Sequence, residues 1–184
     1  MSMSEPFYDA CTAGDLPAVE RYIEGGDVDL GRGLSLAAQA GHSQLVAHLL
    51  SRGAGEDSEA LAKSLYLASQ NGHDHVVRLL LERNAPVDAP VYFGRRALHA
   101  AATHGEGVVI HFLLAAGATC DVRDDDGATP LAEAVLNRQH EAVHFLIKAG
   151  ADVNLQALDG ASPLSIAMER HDQMMIALLK GYGP

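Results

Sequence analysis

Residues 129–151 read TPLAEAVLNRQHEAVHFLIKAGA, and this stretch decides the fold. Thr129 can cap the N-terminus of a helix, and Pro130 is favoured in a first helical turn. Gly150 can end a helix because glycine readily adopts the left-handed conformation. Two apolar faces lie between these residues at helical spacing, formed by Leu131, Ala134 and Val135 and then by Ala142, Val143, Leu146 and Ile147. The stretch therefore predicts two short helices in succession.

The same pattern occurs six times along the chain. Its first members are separated by 27, 31, 33, 33 and 33 residues, at Ala13, Ala40, Asn71, His104, Asn137 and Arg170. We divide the chain into copies one to six at residues 5–29, 30–54, 58–88, 93–121, 122–154 and 155–184. One helix pair cannot bury its apolar face alone, whereas stacked neighbours bury a continuous core.

A period of 33 residues that contains Thr129-Pro130-Leu131, Ser162-Pro163-Leu164 and Ala97-Leu98-His99-Ala100-Ala101 resembles the ankyrin repeat. The resemblance covers nearly the whole chain. It implies an all-α ankyrin-repeat solenoid of stacked helix pairs with short hairpin loops. We predict a single domain over residues 1–184, with the first and last copies as caps.

Composition and charge exclude several classes of protein. The chain is 48% hydrophobic and 20% charged, which excludes an intrinsically disordered protein. Its net charge of −11 argues against a nucleic-acid binder. The sequence shows no secretory signal and no apolar run of the ~18 residues that span a membrane. We expect a cytoplasmic protein, with the nucleus as an alternative, that is a monomer on its own.

Two departures from the repeat affect the expected helices. The short spacings remove residues from the hairpins, so we expect no hairpin before copy three. Asp57-Ser58 instead predicts a cap and a lengthened first helix. Arg138 and His171 stand where other copies have glycine, which predicts either backbone strain or a shifted helix end.

The Thr-Pro start is missing from the copies before Thr129. Copies five and six start their first helix with Thr129-Pro130 and Ser162-Pro163. The equivalent positions of copies two to four hold Arg32-Gly33, Lys63-Ser64 and Arg96-Ala97. A lost cap destabilises a helix by about 1 kcal/mol. We therefore expect uneven stability, with copies four and five best protected.

Residues 140–144 read HEAVH, which matches a zinc-hydrolase motif with His140 and His144 as ligands and Glu141 as base. The repeat already explains Ala142 and Val143, and no third ligand is evident nearby. Residues 124–127 with Glu133 resemble a calcium loop, but Val122 and Pro130 stand at ligand positions. We therefore expect no metal, no cofactor and no enzymatic activity.

The cysteines are interpreted as small core residues. Cys11 matches Ala38 and Ala102, and Cys120 matches Val153, all at apolar slots. Two cysteines do not form a disulfide framework and suit a reducing compartment.

The resemblance implies that another protein binds at the hairpin tips and first helices. The expected contact residues are Tyr92, Phe93, Arg95, Thr103, His104, Asp125, Asp126, Leu136, Asn137, Leu158, Asp159 and Arg170. Further exposed positions are Gln70, Asn71, Ala128, Ala161 and Glu169. Adjacent bulky aromatics are unusual at a tip, and at most one of Tyr92 and Phe93 should tuck into the core. The predicted function is an adaptor, scaffold or inhibitor; the alternatives are a regulatory subunit of an enzyme complex and, less favoured, a zinc-dependent hydrolase that uses residues 140–144.

Overall fold

The computed structural model describes residues 4–181 of the chain. These residues form twelve α-helices and no β-strand. The helices are α1 (Ser4–Ala13), α2 (Leu16–Gly25), α3 (Leu30–Gln39), α4 (Ser43–Leu49), α5 (Ser58–Gln70), α6 (Asp74–Glu82), α7 (Ala97–His104), α8 (Gly107–Ala115), α9 (Pro130–Leu136), α10 (His140–Lys148), α11 (Pro163–Glu169) and α12 (Gln173–Lys180). A π-helical turn, Leu50–Ala54, follows α4. No helix within residues 4–181 is long and apolar enough to cross a bilayer.

The chain divides into two compact units, Met1–Pro86 and Val87–Pro184. The first unit holds three helix pairs, α1/α2, α3/α4 and α5/α6, and its first helices α1, α3 and α5 stack side by side. The second unit holds the pairs α7/α8, α9/α10 and α11/α12, and α7, α9 and α11 stack in the same way. Stacked helix pairs in an all-α fold are therefore confirmed within each unit. The single domain over residues 1–184 stays a prediction.

Each unit has its own apolar core, which in the second unit includes Leu131 and Leu146 of the predicted helical faces. In the first unit it includes Phe7, Leu34, Leu45, Leu49, Leu65 and Leu80, and in the second Leu98, Ile110, Leu113, Leu131, Leu146 and Met175, all nearly inaccessible to solvent. Lys180 is exposed in the last helix, as a solvated outer face requires. Gly183 and Pro184, which close the sixth copy, lie outside the described residues.

The local signals of copy five are confirmed. The Thr129 hydroxyl accepts a hydrogen bond from the Ala132 N–H at 3.2 Å, and Pro130 opens α9. Gly150 has a φ of 97° and follows Ala149, the C-cap of α10. The residues around Thr129 specify their own conformation, because a cap and a C-terminal glycine act within one turn.

The lengthened helix of copy three is also confirmed. α5 has 13 residues, starts from Asp57 as its cap, and follows the π-helical turn without a hairpin. The expected cap deficit is wrong for copies two and three, however. Their first helices begin before the Thr-Pro slot, where the Asp29 carboxylate accepts from the Arg32 N–H and the Asp57 carboxylate from the Glu59 N–H.

Copy four starts in another way. Arg96 has no side-chain acceptor, so the N-terminus of α7 has no capping oxygen of the Thr129 type. The backbone N–H of Arg96 instead donates to His99 Nδ1 at 3.2 Å. The predicted lack of a Thr129-type cap is therefore present at α7, although the His99 ring accepts from one of its backbone N–H groups.

The residues that replace glycine keep the left-handed backbone. Arg138 has a φ of 59° and His171 a φ of 54°. In the first unit the equivalent glycine is also sterically required, because a Cβ on Gly41 would lie 2.7 Å from the His73 ring. His73 Nε2 donates to the carbonyl of Gln39 at 3.0 Å and holds its ring over that glycine.

Candidate functional site

Three hairpin turns of the second unit lie side by side before its first helices. A backbone hydrogen bond spans each turn, from the N–H of Val91, Asp124 and Ala157 to the carbonyls of Arg95, Ala128 and Ala161. Neighbouring tips are bonded as well: the Asp125 N–H donates to Phe93 O at 3.1 Å, and the Leu158 N–H to Asp126 O at 2.9 Å. These bonds make the three tips one continuous row.

Two arginines connect neighbouring loops of the row, and the sequence did not predict this role for either of them. The Arg96 guanidinium donates to the carbonyls of Asp88, Gly94 and Arg123. The Arg123 guanidinium donates to Gly127 O at 3.1 Å and to Gln156 O at 2.7 Å. Each arginine therefore bridges the carbonyls of its own loop and the next loop. The tips are held as a fixed surface, which favours a binding role because little ordering is needed on contact.

Large apolar side chains stand exposed on this surface. Phe93 is 80% exposed, Tyr92 40%, Leu158 79% and Leu136 38%. Neither Tyr92 nor Phe93 is buried, which agrees with the expectation that at most one of them would tuck into the core. Phe93 also has a φ of 52°, a conformation that side chains other than glycine rarely adopt. Because its side chain is largely exposed, Phe93 buries little apolar surface within the fold.

A polar cluster lies between the first tip and the first helices. The Arg95 guanidinium contacts Glu133 Oε2 at 2.8 Å and donates to the Thr103 hydroxyl at 2.7 Å. The Asn137 amide donates to Glu133 O at 2.9 Å. Arg95 and Thr103, both predicted contact residues, are therefore partly engaged within the unit. Arg95 Nε is buried without a hydrogen-bond partner among the described residues.

A groove of about 670 Å³ lies between the last two tips and the helices α9 and α11. Its lining consists of Asp126, Ala128, Ala132, Glu133, Leu136, Ala157, Leu158, Asp159, Ala161, Ile166, Glu169 and Arg170. Five predicted contact residues meet there: Asp126, Leu136, Leu158, Asp159 and Arg170. The remaining predicted residues are outside the lining. Tyr92, Phe93, His104, Asp125 and Asn137 are exposed elsewhere on the second unit.

Four lining residues, Ala132, Glu133, Ala157 and Ile166, were not predicted. Ala132 and Ile166 looked like ordinary helix residues, but Ile166 is only partly buried. Glu133 was considered only as a calcium ligand, whereas it pairs with Arg95. Their position within the repeat could have indicated these residues, because equivalent helix positions of successive copies line one surface.

The HEAVH segment forms the N-terminal part of α10. His140 Nε2 lies 3.2 Å from Asp172 Oδ1, and Arg138 Nε lies 3.3 Å from Asp172 Oδ2. The Met175 N–H also donates to this carboxylate at 3.0 Å, and this bond, followed by the His140 and Arg138 contacts, holds the pKa of Asp172 below its usual value. Asp172, which sequence reasoning missed, gives His140 a role within the fold. Among residues 4–181, no three His, Cys, Asp or Glu side chains are grouped as metal ligands.

The acidic loop before α9 is occupied by its own backbone. The Asp124 carboxylate accepts from the N–H groups of Asp126 at 3.1 Å and Ala128 at 2.8 Å. This side-chain turn fixes the hairpin, and Glu133 lies against Arg95 instead of in the loop. The loop geometry is thus that of a repeat tip.

His99 lies fully buried in α7 and bridges two loops. Its Nδ1 accepts from the Arg96 N–H, so the ring proton is on Nε2, which donates to Ala128 O at 3.1 Å. Burial lowers the pKa of His99 to about 4, which keeps the ring neutral. The His99 ring therefore links the start of α7 to the tip of the next copy.

The two cysteines are free thiols. Cys11 is buried, as predicted, and burial raises its pKa to about 12. Cys120 is only partly buried, and burial together with Asp121 raises its pKa to about 11. Neither sulfur has the lowered pKa of a nucleophilic cysteine.

Comparison with protein families agrees with the repeat. A model described as ankyrin repeats (3 copies) matches residues 7–91, 65–157 and 98–183. A search of curated proteins found no match to the chain. Ankyrin repeats are generally protein–protein interaction modules and are typically non-enzymatic. Because the overlapping matches cover nearly the whole chain, it belongs to the ankyrin repeat family.

Proposed function

We propose that the chain is a non-enzymatic adaptor, scaffold or inhibitor that binds a partner protein through the second unit. The binding surface comprises the row of tips and the groove beside it. The observation that carries this proposal is the exposure of Phe93, Leu158 and Tyr92 on a row of loops fixed by backbone bonds, with Leu136 exposed beside it at the end of α9. Large exposed apolar side chains on a rigid surface are typical of protein-binding sites.

The titratable side chains of the described residues favour a non-enzymatic role. The buried histidine is neutral, both thiols have raised pKa values, and His140 contacts Asp172. We infer a reducing compartment, the cytoplasm or the nucleus, from the two unpaired cysteines. We also propose that the chain is a monomer until it meets its partner.

Affinity purification followed by mass spectrometry would identify partners, and calorimetry with a purified partner would test the surface. Tyr92→Ala with Phe93→Ala should weaken binding by about tenfold or more, as expected for hot-spot residues. Met174→Ala is the matched control, since Met174 is 73% exposed on α12, away from the tips and groove lining. Equal affinities of the double variant and the wild type, together with unchanged binding after truncation of Leu136 and Leu158, would contradict the proposed surface.

A further inference from the structure

The groove beside α9 and α11 combines an apolar floor with an acidic rim. Its apolar lining residues are Ala128, Ala132, Leu136, Ala157, Leu158, Ala161 and Ile166. Leu136 and Leu158 remain well exposed, so their apolar surface gains most from a partner that removes it from water. The floor therefore suits an apolar side chain of an incoming segment.

Charge in the groove is strongly one-sided. Four carboxylates line it, from Asp126, Glu133, Asp159 and Glu169, against the single guanidinium of Arg170. Glu133 is already paired with Arg95, which leaves three carboxylates that face one cation. The surrounding segment extends this field, because residues 121–184 contain ten Asp and Glu side chains and five Lys and Arg.

Two of these carboxylates are well placed to meet a partner. Asp126 belongs to the middle tip and Glu169 is the last residue of α11, and both side chains are exposed. Asp126 holds the next tip only through its backbone carbonyl, which accepts from the Leu158 N–H. Its carboxylate is therefore dispensable for the tip row.

We propose that this groove docks a polypeptide segment in which an apolar anchor residue is flanked by lysine or arginine. The inference rests on the proposed function and specifies its partner. An acidic peptide or a nucleic acid would meet repulsion from Asp126, Asp159 and Glu169, whereas cationic side chains complement this rim. The apolar anchor supplies affinity, and the flanking charges supply orientation and the association rate.

A displayed library of short random-sequence peptides, selected on the purified full chain, is the probe. Selected peptides should be enriched in Lys and Arg next to a large apolar residue. Synthetic copies would then be measured by fluorescence polarisation against three variants whose folding is checked by thermal unfolding. The rim variant is Asp126→Lys with Glu169→Lys, and the floor variant is Leu136→Ala with Leu158→Ala. The control, Glu24→Lys with Glu82→Lys, makes the same charge change at exposed residues of the first unit.

The rim variant should lose about tenfold in affinity, and the control should stay within about twofold of the wild type, because only close charges act strongly in salt. Selected peptides without a cationic bias, or with equal affinity for the rim variant, would overturn the inference. A library that yields no peptide dependent on the floor residues would overturn it as well.

The outcomes also separate this inference from the proposed function. Binding lost in the floor variant but kept in the rim variant would leave a docking groove with an apolar partner and refute the basic segment. Binding unaffected by either variant would refute the groove itself, and the proposed function would then depend on Tyr92 and Phe93 alone. Equal losses in the rim variant and the control would show attraction by net charge only, which contradicts a specific site.

Discussion

The first helices of the two units begin in different ways, and the loops explain the difference. In the first unit α3 and α5 start from Asp29 and Asp57 and run for 10 and 13 residues. In the second unit α7, α9 and α11 have only 7 or 8 residues and follow a closed hairpin. Where the hairpin is shortened, the chain continues as helix. The hairpins of the second unit are the parts that expose Phe93 and Leu158.

The first helices of the first unit thus contribute mainly to stability, whereas the hairpins of the second unit contribute the exposed surface. An aspartate cap and a longer helix supply stability where there is no tip to present. Hairpin tips need other support, and in the second unit that support is the arginine bridges and the buried His99 ring. If the two roles are separate, changes at the supporting residues should lower the free energy of unfolding more than changes at the exposed tips.

Acid should destabilise the second unit through His99. Its pKa is about 4 in the folded chain and ~6.5 when unfolded. The unfolded chain therefore binds more protons between these values, so stability present above pH ~6.5 is lost as the pH falls toward 4, by roughly 3 kcal/mol. Hydrogen exchange at pH 7 and pH 4.5 should show the loss in residues 87–181.

His99→Gln is the control for this pH effect, since glutamine can hydrogen-bond but does not titrate. It should be less stable than the wild type at pH 7 but should lose less stability between pH 7 and 4.5. A variant with the same pH dependence as the wild type would show that other groups are responsible.

Gly41→Ala should destabilise the chain by about 2 kcal/mol, because its φ of 79° is unfavourable for alanine and its Cβ would meet the His73 ring. The matched change His171→Ala should alter the free energy of unfolding by less than about 0.5 kcal/mol, since this exposed residue already adopts a left-handed backbone without glycine. Urea unfolding of both variants measures the difference, and similar values would contradict the steric role of Gly41.

Asp57→Ala should reduce stability by about 1 kcal/mol, the same as Thr129→Ala, because both side chains cap a first helix. Chemical denaturation of the two variants measures these values. If Asp57→Ala had no effect while Thr129→Ala did, the original expectation of poorly started helices in the first unit would be correct after all.

Sequence predicted those features that a few neighbouring residues determine. The Thr129 cap, the helical faces of copy five and the long α5 all depend on residues within one or two turns. The bonds from Arg96 and Arg123 to neighbouring loops depend on contacts about 30 residues apart, and an arginine in a loop does not reveal them. Asp172 was missed for the same reason, since its contact with His140 joins two successive copies.

The candidate site was predicted less completely than the fold. Position within the repeat identified Leu136, Leu158 and Arg170, which the groove brings together. It did not reveal that Glu133 would pair with Arg95, because both residue types are common on exposed surfaces. Side-chain pairing across copies thus limits how far a site can be predicted from one copy.

The smallest effect on stability is expected at the most exposed tip. Tyr92→Ala with Phe93→Ala should shift the free energy of unfolding by less than about 0.5 kcal/mol, because neither side chain is buried. The bond from the Asp125 N–H to Phe93 O involves only backbone atoms and survives the change. Alanine at position 93 has the same unfavourable φ as phenylalanine, so the strain is unchanged. Urea titration measures this value, and Leu98→Ala, a core truncation in the next helix, should lose about 2–5 kcal/mol in the same assay. A large loss in the tip variant would mean that the aromatic pair supports the fold, and the tip would then resemble the helix starts of the first unit instead of a contact surface.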